Sequence, residues 1–204
     1  MDTSSGYKDR ALESLKGVWD RGISAVIIYF AITQIGSTLL TFMVSDVTVS
    51  TTISGLWELA CLPLAWGVSV YFLRLVRGED LAYGRLFDGY SDIVRILGVY
   101  ILAGLAIVIG TMLLIVPGVI AWLMFSQAPF ILKDDPQIGV VDSLKKSAAM
   151  MDGHKMDFFL LCLSFIGWVL LAIITLGLGL LFLMPYFYAT CAHFYEDLKA
   201  EQAV

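Results

Sequence analysis

Hydrophobic positions in this chain fall into long unbroken blocks rather than alternating ones. Residues 158–192 contain no Lys, Arg, Asp, Glu or His, and residues 96–132 carry no charge. A single helix of that length would reach roughly 50 Å at about 1.5 Å per residue, well past a hydrocarbon core of about 30 Å. Each block therefore predicts two helices joined by a tight turn. The turns are expected at Thr175-Leu-Gly-Leu-Gly179 and at Val116-Pro117-Gly118, where glycine supplies backbone freedom and proline opens a helix well. Two shorter apolar runs precede them, separated by the polar, β-branched stretch at residues 46–52, which reads as a turn outside the membrane. The pattern predicts an all-α polytopic membrane protein as a single integral domain over residues 1–204. Six spans are expected, at about 23–45, 53–73, 96–115, 117–132, 156–175 and 178–195, arranged as three hairpins.

An amphipathic stretch precedes each of the three hairpins. Residues 8–21 place Ala11, Leu12, Leu15, Val18 and Trp19 on one helical face. Residues 83–90 place Tyr83, Leu86, Phe87 and Tyr90 at i, i+3, i+4 and i+7. A third helix is expected to start with Asp135 as its N-cap and Pro136 in its first turn, with Ile138, Val141, Leu144, Ala148 and Met151 on its apolar face. All three predict helices lying in the membrane interface. Each ends in a similar step, at Leu15-Lys-Gly17, Phe87-Asp-Gly89 and Met151-Asp-Gly153. Each returning span carries a proline (Pro63, Pro129, Pro185), a pattern compatible with an internal threefold repeat.

Charge then gives the topology. Four basic residues precede the first span, four lie between the second and third, four between the fourth and fifth, and Lys199 follows the sixth. These are all 13 Lys and Arg of the protein, and the three opposite turns have none. The positive-inside rule puts both termini in the cytoplasm. With 59% hydrophobic and 15% charged residues and a mean hydropathy of +0.83, the chain lies outside the range of soluble globular proteins. A net charge of −5 argues against nucleic acid as a partner. The acidic residues among the first 22 and the missing small-residue cleavage site argue against a cleaved signal peptide. Cys61, Cys162 and Cys191 lie in apolar runs without metal or redox spacing and are expected to be free packing thiols.

Several motifs in the final two thirds occur in a specific order. They are Val116-Pro-Gly118, Ala128-Pro129-Phe130, Asp134-Asp-Pro136, Gly153-His-Lys155, Ser164-Phe-Ile-Gly-Trp168, Thr175-Leu-Gly-Leu-Gly179, Pro185-Tyr186 and Phe194-Tyr195-Glu196. Over residues 80–198 the chain resembles the domain-of-unknown-function 975 family of bacterial integral membrane proteins. More distantly it is similar to the membrane region of glycerophosphodiester phosphodiesterases, without their catalytic domain. The resemblance implies a multi-pass protein of the bacterial cytoplasmic (inner) membrane and supplies no mechanism.

Candidate sites are few. Glu58 is the one Asp, Glu, Lys or Arg well inside an expected span. Intramembrane carboxylates are costly, so it is a candidate for a proton, cation or ligand, against the alternative that it reaches interfacial water. Arg85, His154 and Lys155 are candidates for a lipid headgroup or a protein partner. Trp168, Pro185, Tyr186, His193 and Glu196 are candidates for cavity lining or helix packing. No spacing of His, Cys, Asp or Glu indicates a metal, no cofactor motif is present, and no nucleophile–base pair indicates catalysis. The sequence therefore favours a non-enzymatic accessory that binds membrane lipid or an export-system protein, with a homo-oligomer compatible. The alternatives are a small permease or channel with Glu58 lining its path and, third, a membrane-embedded enzyme acting on lipid.

Overall fold

The computed structural model describes residues 2–202. It is all-α, with no strand among the described residues. Among the described residues, five stretches are long and apolar enough to cross a membrane: Trp19–Met43, Val47–Val76, Tyr83–Leu113, Ile115–Asp134 and Lys155–Ile174.

Helix α1 (Ser4–Leu15) is capped by Thr3, whose hydroxyl accepts from the Gly6 N–H. It buries Tyr7, Ala11 and Leu15, one residue per turn. The helix expected to run on to residue 21 stops earlier. Gly17 takes a left-handed conformation (φ 79°), and Trp19 already belongs to the next helix. That first apolar segment comprises α2 (Trp19–Phe30), a π-turn (Ala31–Ile35) and α3 (Gly36–Met43). In the π-turn the Thr33 hydroxyl donates back to the Tyr29 carbonyl, and the Trp57 indole N–H donates to the Thr33 carbonyl at 3.2 Å. The indole lies against Gly36, where any side chain would collide with it.

Helix α4 (Val47–Val76) corrects the expectation of a polar turn at residues 46–52. Asp46 caps the helix by accepting from the Thr48 and Val49 N–H groups. Thr51 and Thr52 then satisfy their hydroxyls on the carbonyls four residues back, both at 2.8 Å. The β-branched polar run is thus helical, and the turn shrinks to residues 44–46. The amphipathic stretch after α4 forms a 3-10 helix (Tyr83–Asp92), not an α-helix. Of its expected apolar face only Leu86 is buried. Glycines explain its close fit to α4: a methyl at Gly67 would meet the Leu86 carbonyl, and one at Gly89 would meet the Pro63 carbonyl.

Helices α5 (Ile93–Leu113) and α6 (Ile115–Phe125) form a hairpin that turns at Leu114 alone, not at residues 116–118. Pro117 lies in the first turn of α6, where its missing N–H costs nothing. Gly118 serves instead as a contact, with Gly110 pressed against its backbone. After a break at Ser126 and Gln127, α7 (Ala128–Asp134) ends with Asp135. Asp135 is therefore not an N-cap: α8 (Val140–Met150) is preceded by Gly139. The Arg95 guanidinium explains this, since it donates to the carbonyls of Asp135, Pro136 and Ile138 and holds those residues as a turn. Helix α8 buries Ser143, Leu144, Ser147 and Met150, whereas Val141, expected on the apolar face, is exposed.

Helices α9 (Lys155–Leu163) and α10 (Ile166–Ile174) are separated by a break whose Ser164 carbonyl accepts from Lys8 at 2.8 Å. The turn at residues 175–179 forms where expected, with Leu176 and Gly177 at positive φ (53° and 89°). Helix α11 (Leu180–Gln202) follows; its last turns carry Glu196, Asp197, Lys199 and Glu201. The three similar glycine steps are not conformationally equivalent. Gly17 and Gly153 are left-handed, while Gly89 lies within the 3-10 helix against Pro63.

Candidate functional site

Charged side chains from four separate connections meet at one end of the helices. Arg77, just beyond α4, donates to Asp134 at the end of α7 (2.7 and 2.8 Å) and to Glu196 of α11 (2.6 and 2.9 Å). Asp134 also accepts from the Tyr195 hydroxyl (2.9 Å) and from Lys199 (2.6 Å). Beside this cluster Arg10 of α1 grips both oxygens of Asp197 at 2.9 Å, and its guanidinium lies 3.3 Å from His193 Nδ1. The other nitrogen of that ring meets Ser14 at 2.8 Å. Arg74, buried, pairs with Asp88 at 2.7 Å. Together these bonds tie α1, α4, the 3-10 helix, α7 and α11 into one ionic plate.

Electrostatics in the plate follow from this geometry. Hydrogen bonds to Asp134 hold the Arg77 guanidinium far above its ordinary range, against burial, and Glu196 adds to the effect. Burial pushes Asp197 upward, but the Arg10 and Tyr7 hydrogen bonds and the Arg10 charge outweigh it, and its carboxyl ends below the usual value. Arg10, Arg74, Arg77 and Lys199 are each engaged by an acid, which fixes the helix ends.

Beneath the plate lies a half-enclosed cavity of 320 Å³ with a predominantly apolar wall. Residues from α4, α5, α6, α7, α9 and α11 line it, among them Tyr100, Trp122, Phe130, Phe158 and Tyr188. The wall is coupled to the plate: Phe130 packs on Tyr195 with ring centroids 5.0 Å apart, and Tyr195 donates to Asp134. Phe158 in turn packs between Trp122 (5.9 Å) and Phe194 (4.9 Å). A volume of this size, apolar with a few polar groups, is what small-molecule sites show. A second apolar cavity, of 290 Å³, lies between α1, α10 and α11.

The expected site residues distribute as follows. Trp168 and Tyr186 meet edge to face at 6.2 Å and both line the second cavity. Pro185 packs on Gly22 of α2. Glu196 and His193 belong to the ionic plate. Arg85 is half-exposed, 3.6 Å from Asp80 and 3.8 Å from Asp88. His154 lies 3.6 Å from Asp157 and 3.5 Å from Glu201, and Lys155 lies 2.9 Å from Asp152. Each of the three expected headgroup residues thus has an acid nearby. Glu58 is exposed on α4 and lines neither of the two cavities described above. The twelfth residue of the helix, it lies about 16 Å from the helix start at the standard rise, deeper than the sequence suggested.

Sequence reasoning missed Arg77, Asp134, Arg10, Asp197, Tyr100 and Tyr188. Nothing in the spacing pairs the first four, since they meet only in space. The tyrosines carried a usable signal. Tyr188 precedes Glu196 by eight residues and Tyr100 follows Arg95 by five, which places both about 8–12 Å below the charged end.

Among known proteins, the family model described as "Protein of unknown function (DUF975)" matches residues 106–202. This match supports the family assignment made from the motifs. No curated protein, glycerophosphodiester phosphodiesterases included, and no solved structure matches the chain.

Proposed function

For a chain whose residues 106–202 carry the DUF975 pattern, we propose a non-enzymatic lipid-holding protein of the bacterial cytoplasmic membrane. In this reading α11 is the sixth crossing: its charge-free part adjoins α2 and α4, and its charged end enters the ionic plate. All Lys and Arg then share the end carrying the plate, and the positive-inside rule puts that end and both termini in the cytoplasm. The plate acts as a rigid lid frame, and α1 and α8 lie along the interface. The observation that carries the reading is the half-enclosed, apolar 320 Å³ cavity between the helices under the plate.

The test is lipid retention. Purified in mild detergent, the protein is expected to keep a defined lipid visible by native mass spectrometry. Gly104→Leu fills the cavity from a position where a new Cβ meets no atom within 4 Å. It should remove that lipid without changing monodispersity. A wild-type protein that retains no specific lipid refutes the proposal. Cysteines placed at Ser45, Leu114 and Gly177 should be labelled from outside the cell and one at Lys133 should not; the reverse overturns the orientation. The permease reading draws on a single observation, that Glu58 has no hydrogen-bond or ion-pair partner among the described residues.

A further inference from the structure

We propose that the cavity under the ionic plate takes the ring of a quinone-class lipid, a planar ring bearing carbonyl oxygens on an apolar tail. This deepens the lipid-holding reading and rests on it. Seven of the 16 lining residues are aromatic: Tyr100, Trp122, Phe125, Phe130, Phe158, Phe187 and Tyr188. Such walls are flat and stiff, and they favour offset or edge-to-face contact with another ring at 4.5–7 Å between centroids, a gain of about 0.5–1.5 kcal/mol per pair beyond area burial. A flexible acyl chain gains nothing from that geometry that a leucine-lined groove would not give it.

The polar groups narrow the class further. Tyr188 and Tyr100 project from α11 and α5 into the same cavity, next to Ser69 of α4. The Tyr188 ring is clamped on Phe72, with planes 8° apart and centroids at 5.5 Å, so the direction of its hydroxyl is fixed. That hydroxyl has no hydrogen-bond partner among the described residues. The two phenols are within electrostatic reach of each other and of Tyr29 on α2. The Tyr100 hydroxyl is hydrogen-bonded to Ser69, which leaves the Tyr188 O–H as the uncommitted donor in this apolar wall. Such a donor calls for an acceptor, because leaving it unpaired costs about 1–3 kcal/mol. The two phenols lie about 8–12 Å below the charged end. A phospholipid anchored at that end presents only methylenes at such a depth, whereas a quinone ring carries its carbonyl acceptors into the membrane. No carboxylate lines the cavity, which disfavours a cationic ligand. The assignment concerns binding alone, with no electron transfer.

Trp122 in the wall gives a direct readout. Detergent-purified protein is titrated with decylubiquinone and, separately, with a dodecyl lysophospholipid, following tryptophan quenching and displacement of co-purified lipid. Saturable quenching by the quinone is expected, absent in Trp122→Phe. Affinity should fall about three- to tenfold in Tyr188→Phe, the loss of one hydrogen bond, and further in the double variant with Tyr100→Phe. Gly104→Leu, or Ala103→Leu if that variant does not fold, should abolish it. If the lysophospholipid binds and Gly104→Leu blocks it while the quinone fails to saturate, the quinone assignment falls and the lipid-holding reading stands. The assignment also falls if both tyrosine variants bind the quinone as wild type does. If neither probe binds and no lipid co-purifies, both readings fall.

Discussion

Arg77 and Asp134 face each other through two parallel hydrogen bonds, 2.7 Å from Nη1 to Oδ1 and 2.8 Å from Nη2 to Oδ2. This fork joins the ends of two apolar segments, and the same guanidinium reaches a third through Glu196. All three side chains are under one third exposed. Arg77→Ala would leave two carboxylates without their main partner and is expected to destabilise the protein by about 3 kcal/mol. Arg77→Lys keeps the charge but not the planar fork, so its thermal midpoint in detergent should fall between those of wild type and Arg77→Ala. Equal midpoints for the three proteins would contradict the joint.

Asp197 gives α1 its pH dependence. Its folded pKa is depressed below the free value of about 3.9. The stabilisation is therefore complete above that value and fades as pH falls through the lower folded pKa. Thermal midpoints measured from pH 6 down to pH 3 should drop more steeply for wild type than for Asp197→Asn, which has no titrating group there. Parallel curves would show that the Arg10 pair does not hold α1.

Glu58 tests whether an unpartnered carboxylate is there for function. On structural grounds alone, Glu58→Leu should raise stability by up to about 3 kcal/mol, the cost of a charge at mid-helix in a bilayer. A loss of stability would reveal a partner at that position. In proteoliposomes Glu58→Gln should leave ion and solute flux unchanged; a changed flux would favour the permease reading over the lipid-holding one.

Gly67 and Gly89 set how closely the 3-10 helix approaches α4. Either one changed to Ala places a methyl against a backbone carbonyl of the other element and should cost about 1–3 kcal/mol, like other overpacking. Gly55→Ala on the open face of the same α4 meets nothing and should stabilise by about 0.8–1 kcal/mol through helix propensity. Thermal midpoints of the three variants check the contrast.

Some of this was legible from the chain and some was not. The residue 175–179 turn read directly, because glycine acts locally; of the apolar face expected for the first helix, Ala11 and Leu15 are buried on α1, while Leu12 is exposed and Trp19 belongs to α2. Residues 46–52 misled because β-branched and polar residues are poor helix formers on average, yet an Asp46 cap and back-bonded threonine hydroxyls satisfy a helix there. Asp135-Pro136 looked like a helix start, but Arg95, 40 residues away, captures the carbonyls that follow. Arg85, His154 and Lys155 looked like candidates for a headgroup or a partner because their acidic neighbours could be weighed only once distances were known.

The amino-acid sequence alone determined that this is an all-α chain of long apolar helices, with every Lys and Arg outside the long apolar runs. Hydropathy and charge act residue by residue and need no fold to be read. Tertiary structure alone decided which charges pair, where the cavity lies and which tyrosines open into it. Those depend on helix rotation and crossing, which are set by contacts between residues far apart in the chain, such as Arg77 with Asp134 and Phe72 with Tyr188.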